Sequence, residues 1–229
     1  FDPRHLKTLE RWHDPANVHR ALEMARGADI PRASIDLIYA IPGQTLEDLD
    51  ANLRTALGTG LGPEGGLGLS HLSAYSLTYE PNTAMTARLK RGEFAPAPED
   101  LEVEMLGLLL ERTRGAGLER YEVSNFARRG EESVHNLAYW RQEQWLAAGP
   151  SASGHVAGHR WKNAPRLDDY LSVDDEGFAP IVEHESPDAR RALIERLMTG
   201  VRVREGFDAG EIAAQAGAIS PGVRDAVAR

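Results

Sequence analysis

The chain has 229 residues, of which 41% are hydrophobic, and its mean hydropathy is −0.42. This composition is typical of a folded domain with a sizeable core, and no apolar run reaches the roughly 20 residues that a membrane-spanning helix needs. A net charge of −9 argues against nucleic acid or an anionic membrane as a general partner. The chain has no cysteine, which excludes disulfides, thiol catalysis and cysteine-bound zinc or iron–sulfur clusters within these residues.

The first predicted unit is a helix, a strand and a second helix. Asp14-Pro15 is a typical N-cap and first helical position, and Gly27 ends the helix. The mostly apolar segment 34–41 predicts a strand buried on both faces. Thr45 and Asp48 have the spacing of a capping box, which predicts that the second helix begins there.

The next segments continue the alternation of helices and strands. A glycine-rich connector covers residues 58–68 and lies after a helix and before a strand. A phosphate-binding loop instead follows a strand and precedes a helix, so the connector is not predicted to bind phosphate. A strand is predicted over 69–79, a helix from Pro98 to Gly115 and a third strand over 118–126. This alternation predicts an α/β fold with parallel strands in a wound sheet or barrel.

In such folds ligands bind at the carboxyl ends of the strands, so three segments are the most informative. They are Asp36–Gln44, Tyr75–Thr83 and Glu122–Asn125. After Phe126 the pattern changes to a charged loop, an aromatic-rich stretch, a small-residue loop and a predicted hairpin. The helical segment 187–203 is predicted to begin a separate C-terminal domain.

The residues alone leave two interpretations open at each candidate position. Asp36, within an apolar strand, is either a carboxylate that is hydrogen-bonded by backbone groups or an arginine, or an acid that binds a ligand. Arg11 taken alone favours a surface role. His135 lies among aromatic residues, where a core or capping role competes with a ligand role. His155 and His159 fall in strand-like sequence and would not share a helix face, and no histidine cluster has zinc spacing.

Four motifs occur in register along the chain. They are Asp36-Leu37-Ile38-Tyr39-Ala40-Ile41-Pro42-Gly43-Gln44-Thr45, His71-Leu72-Ser73-Ala74-Tyr75-Ser76-Leu77, Tyr121-Glu122-Val123-Ser124-Asn125-Phe126-Ala127 and His135-Asn136-x-x-Tyr139-Trp140. In order and spacing they resemble the radical SAM, oxygen-independent coproporphyrinogen III oxidase-like family, and its heme chaperones in particular. The resemblance covers nearly the whole chain.

The resemblance implies the C-terminal part of an incomplete radical SAM β/α barrel with an aromatic-rich extension over 1–165. Residues 166–229 would begin a small, mainly helical C-terminal domain. The family binds a [4Fe-4S] cluster through a Cys-x-x-x-Cys-x-x-Cys loop after its first strand, and S-adenosyl-L-methionine (SAM) at the open iron. Because the chain starts at Phe1 rather than Met and has no cysteine, we expect it to be a piece of a longer, cytoplasmic protein.

Position by position, the resemblance implies that Arg11, Asp36, Ser76 and Ser153 contact SAM. It also implies that His135 ligates heme iron, with weaker heme contacts from Tyr139 and Trp140. Arg128, Arg129 and Arg141 are close enough in sequence to meet heme propionates. The chain departs from the family at Ala40 and Ala147, where glycine is usual, and at Ser153, where histidine is common.

Two functions of different classes follow from the resemblance. The first is a heme chaperone that binds heme and transfers it to an acceptor protein, which could be membrane-associated. The second is the enzyme oxygen-independent coproporphyrinogen III oxidase, so whether the protein is an enzyme stays open. The family's oxidases carry an Arg-Asn-Phe-Gln-Gly-Tyr-type segment where this chain has His-Asn-x-x-Tyr-Trp, which favours the chaperone. A third interpretation is a β/α fragment without retained activity.

Overall fold

The computed structural model describes residues 1–30, 32–57, 69–173 and 177–219. The chain forms two compact units, Phe1–Glu132 and Ser133–Arg229. The division therefore falls N-terminal to the predicted boundary at 165/166. The reason is that strands on both sides of residue 165 share one sheet.

The first unit contains five described helices and four described strands. The helices are α1 (Pro3–Thr8), α2 (Pro15–Gly27), α3 (Leu46–Leu57), α4 (Ala84–Lys90) and α5 (Glu99–Gly115). The strands are β1 (Ser34–Tyr39), β2 (His71–Ser76), β3 (Glu119–Arg120) and β4 (Asn125–Ala127). They form one sheet in the order β1-β2-β4-β3.

Local capping signals explain where the helices begin, and the predicted starts are confirmed. The Asp14 carboxylate accepts a hydrogen bond from the Ala16 amide at the start of α2. At α3 the capping box is formed in both directions: the Thr45 amide donates to the Asp48 carboxylate, and the Asp48 amide donates to the Thr45 hydroxyl, each at 3.1 Å. The first turn of α5 is acidic, which stabilises the positive end of the helix dipole.

Only one pair of strands in this sheet follows the predicted parallel arrangement. β1 and β2 are parallel, with Ser34 opposite His71 and Tyr39 opposite Ser76. The predicted single strand over 118–126 was wrong: it is a tight hairpin, and β4 runs antiparallel to both β2 and β3. The Arg120 guanidinium donates to the carbonyls of Glu122 and Val123, which holds the chain in the reversal.

The core of the first unit lies between the sheet and the helices α3 and α5. The side chains that fill it are buried and apolar: Leu37, Tyr39, Ala40, Leu49, Leu53, Ala56, Leu72, Ala74, Met105, Leu109, Leu118 and Phe126. Because side chains alternate along a strand, this packing uses one face of β1 and β2 and leaves their other face for different residues.

The second unit joins a small antiparallel sheet to short helices. The helices are α6 (Val134–Trp140), α7 (Leu167–Tyr170), α8 (Ala189–Gly200) and α9 (Ala209–Ile219), and the strands are β5 (Ser153–Val156), β6 (His159–Asn163) and β7 (Ile181–Glu185). The predicted hairpin is confirmed as β5 and β6, joined by Ala157 and Gly158, which both have positive φ.

Two remaining points concern the whole chain. The glycine-rich connector 58–68, which was predicted not to be a phosphate-binding loop, lies outside the described residues. Within the described ranges, none of the helices combines the length and apolar character required to cross a bilayer.

Candidate functional site

The sheet face opposite α3 and α5 carries a row of polar side chains across three strands. Asp36 on β1 is paired with Ser73 on β2, and Ser73 is paired with Asn125 on β4. Paired residues in neighbouring strands project to the same face, so the three side chains form one row, here called the polar row. The sequence placed Asp36 and Asn125 in separate informative segments, and the register brings them together.

At each end of the polar row a side-chain oxygen lacks a partner within the described part of the chain. Asp36 is exposed, and within the described residues its carboxylate makes no hydrogen bond or ion pair. Asn125 is only 4% exposed, and its Oδ1 has no hydrogen-bond partner in the part of the chain described. Buried amide oxygens are normally satisfied, so an unpaired one marks a position where a ligand donor fits. Sequence reasoning had not singled out Asn125 as a ligand contact.

The neighbouring row on the same face is satisfied internally. The His71 Nδ1 lies 2.8 Å from the Ser34 hydroxyl, and its Nε2 lies 2.8 Å from the Tyr121 hydroxyl. Burial lowers the pKa of His71 below its usual value. His71 is therefore a buried histidine with a hydrogen-bond partner at each ring nitrogen.

Ser76 lies on the opposite face from the polar row. Its hydroxyl donates to the carboxylate of Glu102 on α5 at 2.5 Å. Burial, with a further contribution from Glu102, raises the pKa of the nearby Tyr39. The hydroxyl of Ser76 is thus engaged in the helix-side packing, and its expected backbone contact with SAM stays a prediction.

Arg11 lies in the exposed segment between α1 and α2. Its backbone amide donates to the Leu6 carbonyl at 2.8 Å, which closes the end of α1. Within the described residues its guanidinium makes no hydrogen bond or ion pair, so the whole fork is available to a ligand carboxylate. No described contact joins Arg11 to Asp36.

Ala40 explains one departure from the family pattern. It follows β1 directly, is 4% exposed and has a φ of 58°. This is the left-handed region that favours glycine, the usual family residue here. The alanine therefore adopts a strained backbone conformation that a glycine would adopt without that strain.

In the second unit, four rings form a continuous series that begins at His135. Ring centroids lie 4.7 Å apart between His135 and Tyr139, 4.5 Å between Tyr139 and Trp145, and 4.9 Å between Trp145 and His155. We call these four residues the aromatic row. Ser133 caps α6 and positions its first residues, because its hydroxyl accepts a hydrogen bond from the Asn136 amide. His135 is exposed, and Tyr139 is 41% exposed.

Trp140 takes a different direction from the aromatic row. Its ring lies 5.9 Å from the Arg202 guanidinium carbon, and it lines a cavity of about 690 Å³ together with Leu193 and Phe207. On a helix, residue i+4 returns close to the face of residue i, whereas residue i+5 turns well away from it. His135 and Tyr139 therefore share a face that Trp140 does not.

Two other predicted contacts have partners within the second unit. Arg141 forms a two-fold ion pair with Glu205 at 2.7 and 2.8 Å, which lowers the pKa of Glu205. The heme-propionate contact expected of Arg141 stays a prediction, and it would compete with this ion pair. The Ser153 carbonyl accepts a hydrogen bond from the Trp145 indole at 2.9 Å, so this residue holds the aromatic row in place.

One group of three potential metal ligands occurs among the described residues. His5 is buried, and its Nε2 lies 3.2 Å from the Asp48 carboxylate, with Asp2 nearby. The Arg4 guanidinium bonds both carboxylates at 2.6 Å. The guanidinium bridges the two carboxylates, so these ion pairs join the start of α1 to the first turn of α3.

Comparison with known proteins identifies the relatives of this chain. No family profile matches it. The heme chaperone HemW of Mycobacterium tuberculosis is 34% identical over 212 residues, and that of Bacillus subtilis is 31% identical over 206 residues. These alignments cover 93% and 90% of this chain, and 52% of each relative. Over most of its length the chain is therefore similar to HemW proteins.

A solved structure has the same fold as this chain. The coproporphyrinogen III oxidase HemN of Escherichia coli, described as a radical SAM enzyme, matches with a TM-score of 0.70 and 17% identity. The match covers 98% of this chain and 55% of HemN, which confirms the predicted fold class. The chain spans about half the length of the curated relatives that it matches.

Proposed function

We propose that the intact protein is a heme chaperone that binds heme in the cytoplasm and transfers it to an acceptor protein, which could be membrane-associated. The observation that carries the proposal is the aromatic row, whose first two rings at His135 and Tyr139 are exposed, in a chain whose relatives are HemW proteins. Heme is the cargo in this proposal, and His135 supplies an axial ligand to its iron.

The chemistry of the aromatic row suits a transferable heme. The His135 imidazole is exposed, and neither ring nitrogen bonds a described residue, so one can bind iron. Tyr139 and Trp145 offer aromatic surface beside it for the flat porphyrin. An exposed site also lets an acceptor reach the heme edge, which transfer requires.

The polar row fits a second ligand, SAM. Asp36 and Asn125 present carboxylate and amide oxygens that can accept hydrogen bonds from hydroxyl and amino groups, and Arg11 offers its fork to a carboxylate. In the family, SAM at a [4Fe-4S] cluster supplies radical chemistry. This chain has no cysteine to hold such a cluster, so we assign to its residues only the binding and orientation of SAM.

Heme titration followed by absorption spectroscopy tests the chaperone proposal. The wild-type chain should give a Soret band typical of histidine-ligated heme, and His135→Ala should change the band or weaken the affinity. His13→Ala is a matched control, because His13 is also exposed but lies in the first unit. Circular dichroism checks that each variant is folded. If the wild-type chain binds no heme, the proposal fails.

A calorimetric titration of the intact, cluster-loaded protein tests the SAM contacts. Asp36→Ala should weaken SAM binding, because a hydrogen bond to a charged group contributes about 1.5–3 kcal/mol. Since Asp36 is exposed and bonds no described residue, the free energy of unfolding should change little. Unchanged SAM affinity in both Asp36→Ala and Arg11→Ala would remove these residues from the SAM site.

The fold match to HemN supports one alternative, oxygen-independent coproporphyrinogen III oxidase. This enzyme would decarboxylate two propionate groups of its substrate. Anaerobic incubation of the intact protein with coproporphyrinogen III, followed by mass spectrometry, distinguishes the two functions. Loss of carbon dioxide from the porphyrinogen, together with absent heme binding, would favour the oxidase.

A further inference from the structure

The aromatic row ends in a second histidine that the family motif does not contain. His155 lies on β5, and its backbone pairs with that of Trp145 through two hydrogen bonds of 2.9 Å. This antiparallel pairing places the His155 and Trp145 side chains on one face, with their ring centroids 4.9 Å apart. His155 is half-buried, so its ring is held and still reaches solvent.

The hydrogen bond at one ring nitrogen fixes the chemistry of the other. The His155 Nδ1 lies 2.9 Å from the Glu143 carbonyl oxygen. A carbonyl oxygen can only accept, so Nδ1 carries the proton and donates it. In the neutral imidazole Nε2 then holds the free lone pair, and within the described residues nothing bonds it. A histidine whose other nitrogen donates to a backbone carbonyl is the usual arrangement of a metal ligand.

The neighbouring histidines lack this combination. His159 and His184 lie with Nδ1 of the first 3.1 Å from Nε2 of the second, and because either nitrogen can be the donor, this contact fixes neither tautomer. His135 has no described partner at either nitrogen, which leaves its tautomer unfixed. His155 is thus better oriented for a metal than the histidine to which the family motif points.

We propose that His155 is an iron-ligating residue of the heme site, at the opposite end of the aromatic row from His135. Heme that lies along the exposed rings can be bonded through Nε2 of His155 as well as through His135, with Tyr139 and Trp145 contacting the porphyrin. The inference rests on the proposed heme-binding function and adds a second ligation position to the same site.

The test uses heme titration of the full chain, with two substitutions of different kinds at His155. His155→Ala removes the whole ring. His155→Asn places an amide N–H where Nδ1 donates to Glu143 and removes only the Nε2 lone pair. Both are measured alone and combined with His135→Ala, and His159→Ala is the control on the same hairpin. Absorption spectra give the ligation state, the titration gives Kd, and circular dichroism reports folding.

The expected result is that His135→Ala weakens heme binding but keeps a Soret band of imidazole-ligated heme, because His155 still ligates the iron. Adding His155→Asn should remove that band and raise the Kd by about tenfold or more, since even the loss of an outer-shell partner has such an effect on metal affinity. Loss of the band in each single variant would also support the proposal, because both imidazoles would then ligate.

Three results would overturn the proposal. His135→Ala could match the double variant while His155→Asn matches wild type, which would make His135 the ligand alone. His155→Ala could lose the band while His155→Asn keeps it, which would show that His155 acts only through its hydrogen bond to the Glu143 carbonyl and not as an iron ligand. The band could persist in every variant, which would place heme elsewhere on a chain that still binds it. Absent heme binding by wild type would instead overturn the proposed function and this inference with it.

Discussion

The unpaired amide oxygen of Asn125 predicts a substitution that stabilises the ligand-free chain while weakening its ligand site. Asn125 is 4% exposed, lies on the polar row, and has no hydrogen-bond partner for Oδ1 among the described residues. Asn125→Leu replaces the amide by an apolar group of similar shape. The substitution removes Oδ1, which is shielded from solvent and has no protein hydrogen bond among the described residues.

The magnitude follows from the opposing contributions at this position. An unsatisfied buried polar group costs about 1–3 kcal/mol, and a buried leucine side chain contributes about 1.5–3 kcal/mol. Imperfect fit of the new side chain offsets up to about 1.5 kcal/mol. The smallest gains less the largest misfit leave about 1 kcal/mol, so we expect the free energy of unfolding to rise by about 1 kcal/mol or more, and Tm to rise by about 2–4 °C per kcal/mol.

The second unit offers a matched control of the same residue type and burial. Asn163 is also 4% exposed, but its Nδ2 donates to the Gly149 carbonyl at 2.9 Å. Asn163→Leu breaks that bond and should lower the free energy of unfolding by about 1–3 kcal/mol. Urea unfolding followed by circular dichroism measures both changes. If Asn125→Leu destabilises the chain as much as Asn163→Leu, the Asn125 amide is structural and the argument for a ligand contact is refuted.

Substitutions at two further positions test local features of the first unit. The Thr45 amide, helped by Arg4, lowers the pKa of Asp48 from 3.8 to about 2. A carboxyl group whose pKa is lowered by folding stabilises the fold at pH values above its unfolded pKa. The difference in free energy of unfolding between wild type and Asp48→Asn should therefore be largest above about pH 5 and vanish as the pH falls towards 2. Urea unfolding at a series of pH values measures this difference. At Ala40, where φ is 58°, Ala40→Val should lower the free energy of unfolding by more than about 1 kcal/mol. In Ala40→Gly the relief of backbone strain and the loss of a buried methyl group nearly cancel, so the melting temperature of this variant should stay close to that of wild type.

Helix positions could be predicted because their signals are local. The cap at Asp14 and the capping box of Thr45 and Asp48 act within one turn, and each begins a helix where the sequence indicates. Strand direction depends on contacts that are distant in sequence. The reversal held by Arg120 turned a predicted parallel strand into a hairpin, and no periodicity in 118–126 indicates it.

The candidate site shows the same division between local and distant information. Asp36 stood out in the sequence because a charge within an apolar strand is unusual. Asn125 becomes its neighbour on the face only through the register of three strands, with Ser73 between them. The sequence predicted that the segment containing Asn125 lies near a ligand, but on the assumption that it forms the end of a parallel strand. It lies beside the carboxyl end of β2 because β4 begins there and runs the other way.

The motif His-Asn-x-x-Tyr-Trp divides into two surfaces when it folds as a helix. His135 and Tyr139 share one face and continue through Trp145 to His155, whereas Trp140 lies beside Arg202 and lines the cavity near α8. The predicted heme contacts of Tyr139 and Trp140 are therefore separable, and a porphyrin on the exposed rings meets Tyr139. Trp140 instead ties α6 to the rest of the second unit, so its substitution should act through stability while substitutions on the aromatic row act through heme binding.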